Sequence, residues 1–358
     1  MFNEGTTPIT VGILGGGQLA QMMAMAASKL GFETSIYCEE VNPCAKNMVS
    51  NVVTAPFLHF EKLRQFASKC DFITIETENI PLDAIRFLEK HFPDQIKTGS
   101  SFVKISQDRI REKEFASALD IATGEYIKVN SVEDMKAFFN QHGSCILKTT
   151  TEGYDGKGHV IINKINDIPT LSSEKKYILE KKVNFAFECS VIATKKGQEV
   201  AVFPIPLNIH KGGILRESTI PMNIKSFTSQ KISSVKNKVK NYTQKIAENI
   251  SHNGTFAVEY FVLASGEVIF NEMAPRPHNS GHFSNDLCNV SQFENHIRAV
   301  VDMPLLEPTL VRSGKMLNII GDDINGIEKF LDKPNHKIHL YCKSFACERK
   351  LGHINIIE

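Results

Sequence analysis

The N-terminal part of the chain alternates between short apolar runs and longer stretches in which apolar residues recur with helical spacing. Residues 10–14 are apolar enough for a strand, a glycine turn follows at 15–17, and the methionine- and alanine-rich stretch 18–27 is typical of a helix. The pattern continues with predicted strands at 34–37, 52–53 and 72–75 and a predicted helix at 60–69. Regular alternation of this kind predicts a parallel sheet covered by helices.

This pattern changes near residues 98–101. A charged helix is predicted at 108–118, followed by strand, helix and strand up to Lys148. Beyond Tyr177 the strands become long and mostly consecutive, which is typical of a largely antiparallel α+β region. These strands are predicted at 185–194, 200–208, 256–263 and 268–273. After a linker at 304–308, short strands and one helix at 327–331 follow.

The changes of pattern divide the 358 residues into three predicted domains of combined α/β and α+β class. The N-terminal domain covers residues 1–103 and is a Rossmann-like parallel sheet. The central domain covers residues 104–304 and includes a flap subdomain at 120–183. The last domain, residues 305–358, is small and mostly β.

Composition changes this picture mainly by excluding classes of partner. A formal net charge of +1 is too small to concentrate a polyanion, so nucleic acid is not expected as a partner. The eight cysteines are spaced singly, which disfavours a zinc cluster or a disulfide framework and favours a reducing compartment. No apolar run approaches the roughly 18 residues that would span a bilayer. We therefore expect a cytoplasmic protein without a membrane partner.

The first glycine turn approximates the G-x-G-x-x-A pattern of dinucleotide-binding folds, and Glu39 and Glu40 follow at roughly the expected distance of about 20 residues. By itself this pattern suggests an NAD-dependent oxidoreductase, because the turn lets a phosphate approach the backbone and the next helix offers unpaired N–H groups. Alternatively, the glycines only let strand and helix pack. The turn indicates a site that suits a phosphate without identifying the ligand.

A second glycine cluster, residues 153–158, lies between two predicted strands. Lys148 ends the first strand, and residues 159–162 form the second. Such a flap could close over a triphosphate through its backbone amides, while Lys148 supplies positive charge to the phosphate oxygens. It is not a P-loop, because no Gly-Lys-Ser/Thr opens a helix here. An ordinary exposed hairpin is the alternative.

The strand at 177–183 carries weaker signals for nucleotide binding. Its end, just before the polar Asn184, could present backbone groups to an adenine edge, and Glu188 could accept ribose hydroxyls. Glu180 within the strand is alternatively a solvated charge.

The most specific chemical signal is a pair of carboxylates, Glu259 and Glu272, each inside an apolar strand. Counting inward from the hairpin turn at 264–266 makes them approximate cross-strand neighbours on one face, where like charges repel. Two such carboxylates need a cation. With oxygen ligands from both acids and from Asn271, the hard ion Mg²⁺ is favoured; a structural salt bridge to nearby lysines is the alternative.

A polar loop at 274–282 follows the second acidic strand directly. Arg276 offers a planar fork that matches a carboxylate or bicarbonate. The spacing of His278 and His282 invites a zinc interpretation, but the intervening proline, asparagine and glycine disfavour a helix that would bring both imidazoles to one face. Near the C-terminus, Arg349 and Lys350 could clamp a substrate phosphate or face water.

Together these motifs resemble the ATP-grasp superfamily and, within it, the 5-(carboxyamino)imidazole ribonucleotide synthetases of purine biosynthesis. The similarity runs from Val11 to the C-terminus. The segments that carry it are 15–19, 76–80, 153–158, 208–210, 213–216, 271–282 and 349–355. The Asn-Ser-Gly-His loop together with the terminal Arg-Lys-x-Gly-His is the most specific combination.

The resemblance implies an ATP-grasp ligase that carboxylates aminoimidazole ribonucleotide with bicarbonate through carboxyphosphate, with ATP and Mg²⁺, as a homodimer. ATP contacts implied by matching motif positions are Arg109, Lys148, Gly153, Gly156, Lys157, Gly158, Glu180, Val183, Glu188, His210, Asn271 and Glu272. The implied magnesium ligands are Glu259 and Glu272. The residues implied around bicarbonate and the reacting amine are Tyr154, Asp155, Arg276, His278 and Asn279. Those implied to hold the ribonucleotide are Gln18, Leu19, Glu76, Arg349 and Lys350.

Other functions are also compatible with these motifs. Another ATP-grasp ligase, such as a formate-dependent glycinamide ribonucleotide transformylase or a biotin-carboxylase-like enzyme, would share the ATP site but use another acceptor. An NAD-dependent oxidoreductase and an inactive binding protein are the rivals from other classes. The chain departs from the family pattern at Ala20 and Gln21, where Gly-Arg is common, and after His353, where terminal helices are usual.

Overall fold

The first sheet is parallel, as the alternating pattern predicts. The computed structural model describes residues 8–151 and 159–358 of the chain. Its first strands are β1 (Thr10–Leu14), β2 (Glu33–Cys38), β3 (Asn51–Thr54) and β4 (Phe72–Ile75), and its first helices are α1 (Gln18–Lys29), α2 (Phe60–Ala67) and α3 (Leu82–His91). The strands pair in parallel in the order β3-β2-β1-β4.

Both faces of the central strands β1 and β2 are covered, because alternate side chains enter two different hydrophobic cores. In β2, Ile36 and Cys38 belong to one hydrophobic core and Tyr37 to the core on the other face. In β1, Ile13 and Leu14 divide in the same way. The sheet thereby fixes the end of β1, from which the glycine turn leads into α1.

The next elements form a small antiparallel sheet. They are α4 (Ser100–Ser106), α5 (Arg109–Ala118), β5 (Tyr126–Val129), α6 (Val132–His142), β6 (Cys145–Thr149), β7 (His159–Ile162) and β8 (Tyr177–Lys181). The strand order is β5-β8-β6-β7. Lys148 pairs with His159 across β6 and β7, so the two strands adjoin as predicted. The glycine cluster between them, with Gly153, Tyr154, Asp155, Gly156, Lys157 and Gly158, lies outside the described residues.

The remaining strands belong to one long antiparallel sheet. These elements are β9 (Phe187–Lys196), β10 (Glu199–Val202), β11 (Leu207–Lys211), β12 (Ile214–Ile220), α7 (Ser229–Glu248), β13 (Gly254–Val262), β14 (Val268–Ala274), α8 (Ser284–Leu287), α9 (Gln292–Val300), β15 (Gly314–Ile320), α10 (Glu328–Leu331), β16 (His336–Leu340) and β17 (Lys350–Ile357). The order is β14-β13-β9-β11-β12-β15-β17-β16, with β10 beside β9. The C-terminal segment thus extends the central sheet, since β12 pairs with β15.

One predicted strand is wrong. The expected strand at 200–208 is split into β10 and β11, and residues 203–206 between them are not in a strand. Pro204 and Pro206 explain the break, because neither offers an N–H group to a ladder. Within the described parts of the chain, no helix is long and apolar enough to cross a membrane.

Candidate active site

The acidic pair lies where the central hairpin is irregular. Glu259 of β13 stands directly opposite Glu272 of β14, which confirms the predicted cross-strand arrangement. Strict pairing from the turn would place Asn271 opposite Glu259, but the register shifts between Glu259 and Tyr260 and leaves Asn271 as the extra residue of a bulge. The bulge therefore brings both carboxylates to one face, where they line a cavity of about 430 Å³.

The two acids have opposite electrostatic environments. Burial raises the pKa of Glu259, and the neighbouring Glu272 adds to this, although His210 opposes it. Burial also acts to raise the pKa of Glu272, but Arg109 and Lys148 outweigh it and lower that pKa. Nη1 of Arg109 lies 3.0 Å from Oε2 of Glu272. One carboxylate is thus already neutralised by the protein, while the other would gain most from an added cation.

The donor set suits a hard cation that shares its ligands with a bound molecule. Carboxylate oxygens are the ligands that Mg²⁺ prefers, and Mg²⁺ commonly binds one or two carboxylates together with phosphate oxygens. Among the described residues, no group of three or more His, Cys, Asp or Glu side chains is arranged to hold a metal ion. Asn271 does not line the cavity with the two acids, and its role as a ligand remains a prediction.

Two lysines meet one carboxylate beside the acidic pair. Nζ of Lys148 lies 3.1 Å, and Nζ of Lys113 3.3 Å, from Oε2 of Glu180. Glu180 is only 8% exposed, so it is not the solvated charge of the alternative interpretation. Lys113 is absent from the predicted site residues, because the charged stretch of α5 gives no pattern that distinguishes a buried lysine from a solvated one.

Glu188 and His210 form another, partly buried pair on the central sheet. His210 Nδ1 contacts Glu188 Oε2 between β11 and β9. Burial acts to lower the pKa of His210, but its hydrogen bond to Glu188 and the charge of Glu259 raise it. The structure thus brings two predicted nucleotide contacts together within electrostatic reach of the acidic pair.

The loop after β14 places an arginine fork in the cavity. Nη2 of Arg276 lies 2.7 Å from Oε1 of Glu78, and Nε contacts the other oxygen of the same carboxylate. Although burial opposes ionisation, Arg276 lowers the pKa of Glu78. Glu78 lies in one of the quoted motifs but is absent from the predicted site residues. Glu78 fixes the orientation of the Arg276 guanidinium, because two parallel hydrogen bonds to one carboxylate set the plane of the group as well as pairing its charge.

The same loop carries an uncharged histidine and an unsatisfied amide. Burial, with help from Arg276, lowers the pKa of His278 to about 3, so its ring is neutral at physiological pH. Its Nε2 lies 3.4 Å from Oε1 of Glu259. Asn279 is 8% exposed and lines the cavity, and neither of its amide atoms has a hydrogen-bond partner among the described residues. His282 is fully buried and lies 3.1 Å from Gln292 instead.

The first glycine turn encloses a carboxylate. A Cβ atom at Gly17 would lie 2.3 Å from Oε1 of Glu76, and one at Gly15 would lie 2.6 Å from Oε2. Gly15 also has a φ of +115°, which other residues rarely adopt. The backbone N–H of Leu19 donates to Glu76 over 3.3 Å. The turn therefore accommodates an acid where a dinucleotide fold would place a phosphate, and this disfavours the NAD interpretation.

The predicted ribonucleotide contacts lie at this end of the cavity, with one exception. Gln18, Leu19, Glu76 and Lys350 line it. Arg349 is instead exposed and donates to Ser344 Oγ over 2.6 Å, outside the lining.

Two further features concern positions that were not predicted as contacts. Lys343 lines the cavity and contacts the Gln18 amide oxygen. Ala20 and Gln21, the departures from the family pattern, are buried outside the lining.

Some predicted contacts do not line the cavity. These are Lys148, Glu180, Val183, Glu188, His210, Asn271 and Arg349. The first five belong to β6, to β8 and the residues after it, and to β9 and β11. Lys148 still reaches the cavity electrostatically, since it lowers the pKa of Glu272.

Comparison with known proteins identifies the family. Residues 114–293 match the ATP-grasp domain, residues 9–107 the ribonucleotide synthetase preATP-grasp domain, and residues 315–358 the phosphoribosylaminoimidazole carboxylase C-terminal domain. The N5-carboxyaminoimidazole ribonucleotide synthase of Bacillus subtilis is 34% identical over 357 residues, covering 97% of this chain and 91% of that protein. The chain belongs to the N5-carboxyaminoimidazole ribonucleotide synthase family. It is an ATP-dependent ligase of purine biosynthesis, and the predicted ATP-grasp fold is confirmed.

Other relatives of this synthase family agree. A bifunctional purine synthesis protein purC/E of Dictyostelium discoideum is 35% identical over 96% of this chain, which spans 36% of that longer protein. The solved structure of an ADP complex of an N5-carboxyaminoimidazole ribonucleotide synthetase matches with a TM-score of 0.91 and 35% identity, covering 99% of this chain and 93% of the other. A synthase from Aspergillus clavatus, solved with ADP and 5-aminoimidazole ribonucleotide, matches with a TM-score of 0.89 and 28% identity over 98% and 94% of the two chains.

Proposed function

We propose that this chain uses ATP and bicarbonate to carboxylate the exocyclic amine of 5-aminoimidazole ribonucleotide, with release of ADP and phosphate. The observation that carries the proposal is a single cavity lined by three groups of residues. The acidic pair lies at the proposed nucleotide end, Arg276 and His278 lie beside it, and Gln18 and Glu76 lie at the proposed ribonucleotide end. An enzyme that joins these three reactants needs this continuity, because the activated carboxylate must not reach water first.

The nucleotide end would hold ATP and Mg²⁺. Glu259 and Glu272 would be the magnesium ligands, and the bound ion would supply Lewis-acid neutralisation of the phosphates. Arg109 and Lys148 would contact phosphate oxygens, while Glu180 and Val183 would bind the base and Glu188 the ribose. His210 would orient Glu188, since the two side chains are in contact.

The bicarbonate position would lie beside Arg276. Two anions must approach one another before bicarbonate can attack the γ-phosphate, and Arg276 and Lys148 would lower that repulsion. The unsatisfied amide of Asn279 would hydrogen-bond the same ligand. His278 is uncharged, so it would orient the reacting amine by hydrogen bonding without repelling the cations around it.

The decisive experiment is an assay of ADP release by the purified chain with ATP and Mg²⁺. We expect release to require both 5-aminoimidazole ribonucleotide and bicarbonate, with the carbamate product formed in equal amount. A glycinamide ribonucleotide and formate pair serves as the comparison. ADP release that depends on formate, or that ignores the imidazole ribonucleotide, would show that the acceptor is wrong.

The pH dependence of ribonucleotide binding is expected to follow Glu76. Burial raises the pKa of this carboxyl to about 7, although Arg276 and Lys343 oppose the shift. An ionised carboxylate accepts ribose hydroxyls best, so the competent form is lost as pH falls through 7. The KM for the ribonucleotide should rise about tenfold from pH 8 to pH 6, because the ionised fraction of Glu76 falls about tenfold over that range.

The variant Glu76→Gln is the control for this pH series, because its amide does not titrate in this range. The ribonucleotide itself changes protonation near these pH values, and the variant reports that contribution alone. We expect a higher but nearly pH-independent KM in Glu76→Gln. Parallel pH profiles in both proteins would assign the effect to the ligand and remove Glu76 from the site.

The assembly state also remains a proposal. We propose a homodimer in solution, as the family resemblance implies. Light scattering coupled to size-exclusion chromatography should give twice the chain mass of 40.0 kDa. A mass equal to that of one chain at micromolar concentration would contradict it.

A further inference from the structure

Lys113, Glu180 and Lys148 form a largely buried cluster in which two ammonium groups share one carboxylate oxygen, here named the lysine pair cluster. The distances to Oε2 of Glu180 are 3.3 Å from Lys113 and 3.1 Å from Lys148. The ring of Tyr126 lies 5.7 Å from the Lys113 ammonium. Two positive charges and one negative charge leave the cluster with one net positive charge for an anionic ligand.

The two lysines differ in what a ligand can reach. The side chain of Lys113 is 3% exposed, whereas that of Lys148 is 19% exposed. A buried ammonium is costly unless it is paired, and the carboxylate of Glu180 provides that partner. Burial lowers the pKa of Lys113, and Glu180 opposes this. Lys113 is therefore enclosed within the cluster, while Lys148 is the more accessible of the two ammonium groups.

Without Lys113, Glu180 would keep its negative charge and draw its countercharge from Lys148. A lysine that neutralises a neighbouring carboxylate attracts a phosphate less strongly, because the pair presents almost no net charge. The second lysine removes this conflict. Its position on α5, four residues after Arg109, ties the cluster to the helix that also positions the arginine bound to Glu272.

We propose that Lys113 is a positioning residue that neutralises Glu180 and so leaves the charge of Lys148 to the nucleotide phosphates. The inference rests on the proposed function, in which Lys148 contacts phosphate oxygens. Lys113 acts through Glu180 and Lys148 and not by touching the nucleotide. Its loss should therefore weaken ligands with phosphates and spare those without them.

The test compares calorimetric binding of ADP and of adenosine to wild type and to Lys113→Met. Both ligands carry the same base and ribose, but only ADP carries phosphates. We expect Lys113→Met to weaken ADP by about tenfold, the value for one lost charge-assisted interaction, and adenosine by less than about twofold. Lys113→Arg should retain ADP affinity. Equal weakening of both ligands, or of neither, would overturn the inference.

Two further variants keep the test decisive if Lys113→Met folds poorly. Glu180→Gln removes the negative charge, so the ratio of ADP affinity to adenosine affinity should rise above that of wild type. The double variant with Lys113→Met and Glu180→Gln should regain the ratio that Lys113→Met loses. If the role of Lys113 were merely structural, the double variant would instead lose further ADP affinity. Lys128→Met, an exposed lysine of β5 in the same small sheet, is the control for removing a nearby charge.

The outcomes separate this inference from the proposed function. ADP release that depends on the imidazole ribonucleotide tests the function in wild type alone. If wild type binds no ADP, both proposals fail. If wild type binds ADP and Lys113→Met binds it equally well, only the role of Lys113 is overturned.

Discussion

Replacing Glu272 with Gln is expected to lower the kcat for ribonucleotide-dependent ADP release by about three orders of magnitude, since Lewis-acid stabilisation is worth several kcal/mol. The amide keeps the size of the side chain but loses the charge that would bind Mg²⁺. It also leaves the guanidinium of Arg109 without the carboxylate that lies 3.0 Å away. Steady-state kinetics at saturating ATP and Mg²⁺ measure the effect.

A binding measurement distinguishes loss of the metal ligand from general damage. In wild type, Mg²⁺ should tighten ADP binding, whereas in Glu272→Gln the affinity should respond little to Mg²⁺. Glu267→Gln is the matched control, because Glu267 is exposed in the turn that joins the same two strands. That variant should behave as wild type. A Glu272→Gln enzyme with normal kcat and a normal magnesium response would exclude the acidic pair as the metal site.

The acidic pair is predictable because few arrangements leave two carboxylates inside neighbouring apolar strands. Strand alternation and the short turn bring Glu259 and Glu272 close together from the sequence alone. The bulge at Asn271 is not predictable in the same way, because it depends on how β14 packs against its neighbours. Without that extra residue, alternation would send the two side chains to opposite faces.

Partners distant in sequence explain most of what the sequence could not predict. Glu78 and Arg276 are separated by 198 positions, and Gln18 and Lys343 by 325. No local sequence pattern can therefore predict either contact. Lys113 is similar, since a helix in which half of the residues are charged is usually solvated. These contacts form only when the parallel sheet, the small sheet and the long sheet meet around the cavity.

The glycine turn shows why a motif needs its surroundings. Its spacing predicts a phosphate-compatible site, but the conformation of Gly15 and the space at Gly17 serve the carboxylate of Glu76. Glu76 lies 57 positions from Leu19, whose N–H it accepts. The local element, strand then turn then helix, is correctly predicted, whereas its ligand is decided by a residue at the end of another strand.

Replacing Arg276 with Lys is expected to lower kcat by about two to three orders of magnitude, the cost of losing one preorganised group that stabilises developing charge. Lysine keeps the positive charge but lacks the planar fork that binds Glu78 through two nitrogens. The bicarbonate would then meet a mobile ammonium in place of an oriented guanidinium. We expect the KM for bicarbonate to rise while the ADP affinity stays within about twofold, because the nucleotide contacts are on other elements.

Arg298→Lys provides a matched control for this change. Arg298 also forms a two-nitrogen pair with one carboxylate, that of Glu294, with distances of 3.1 and 3.0 Å, but it lies on α9 outside the cavity lining. If an oriented fork matters only at the bicarbonate position, Arg298→Lys should keep wild-type kinetics. Glu78→Gln should partly reproduce Arg276→Lys, because it removes the charge that orients the fork. An Arg276→Lys enzyme with unchanged kcat and bicarbonate KM would place bicarbonate elsewhere in the cavity.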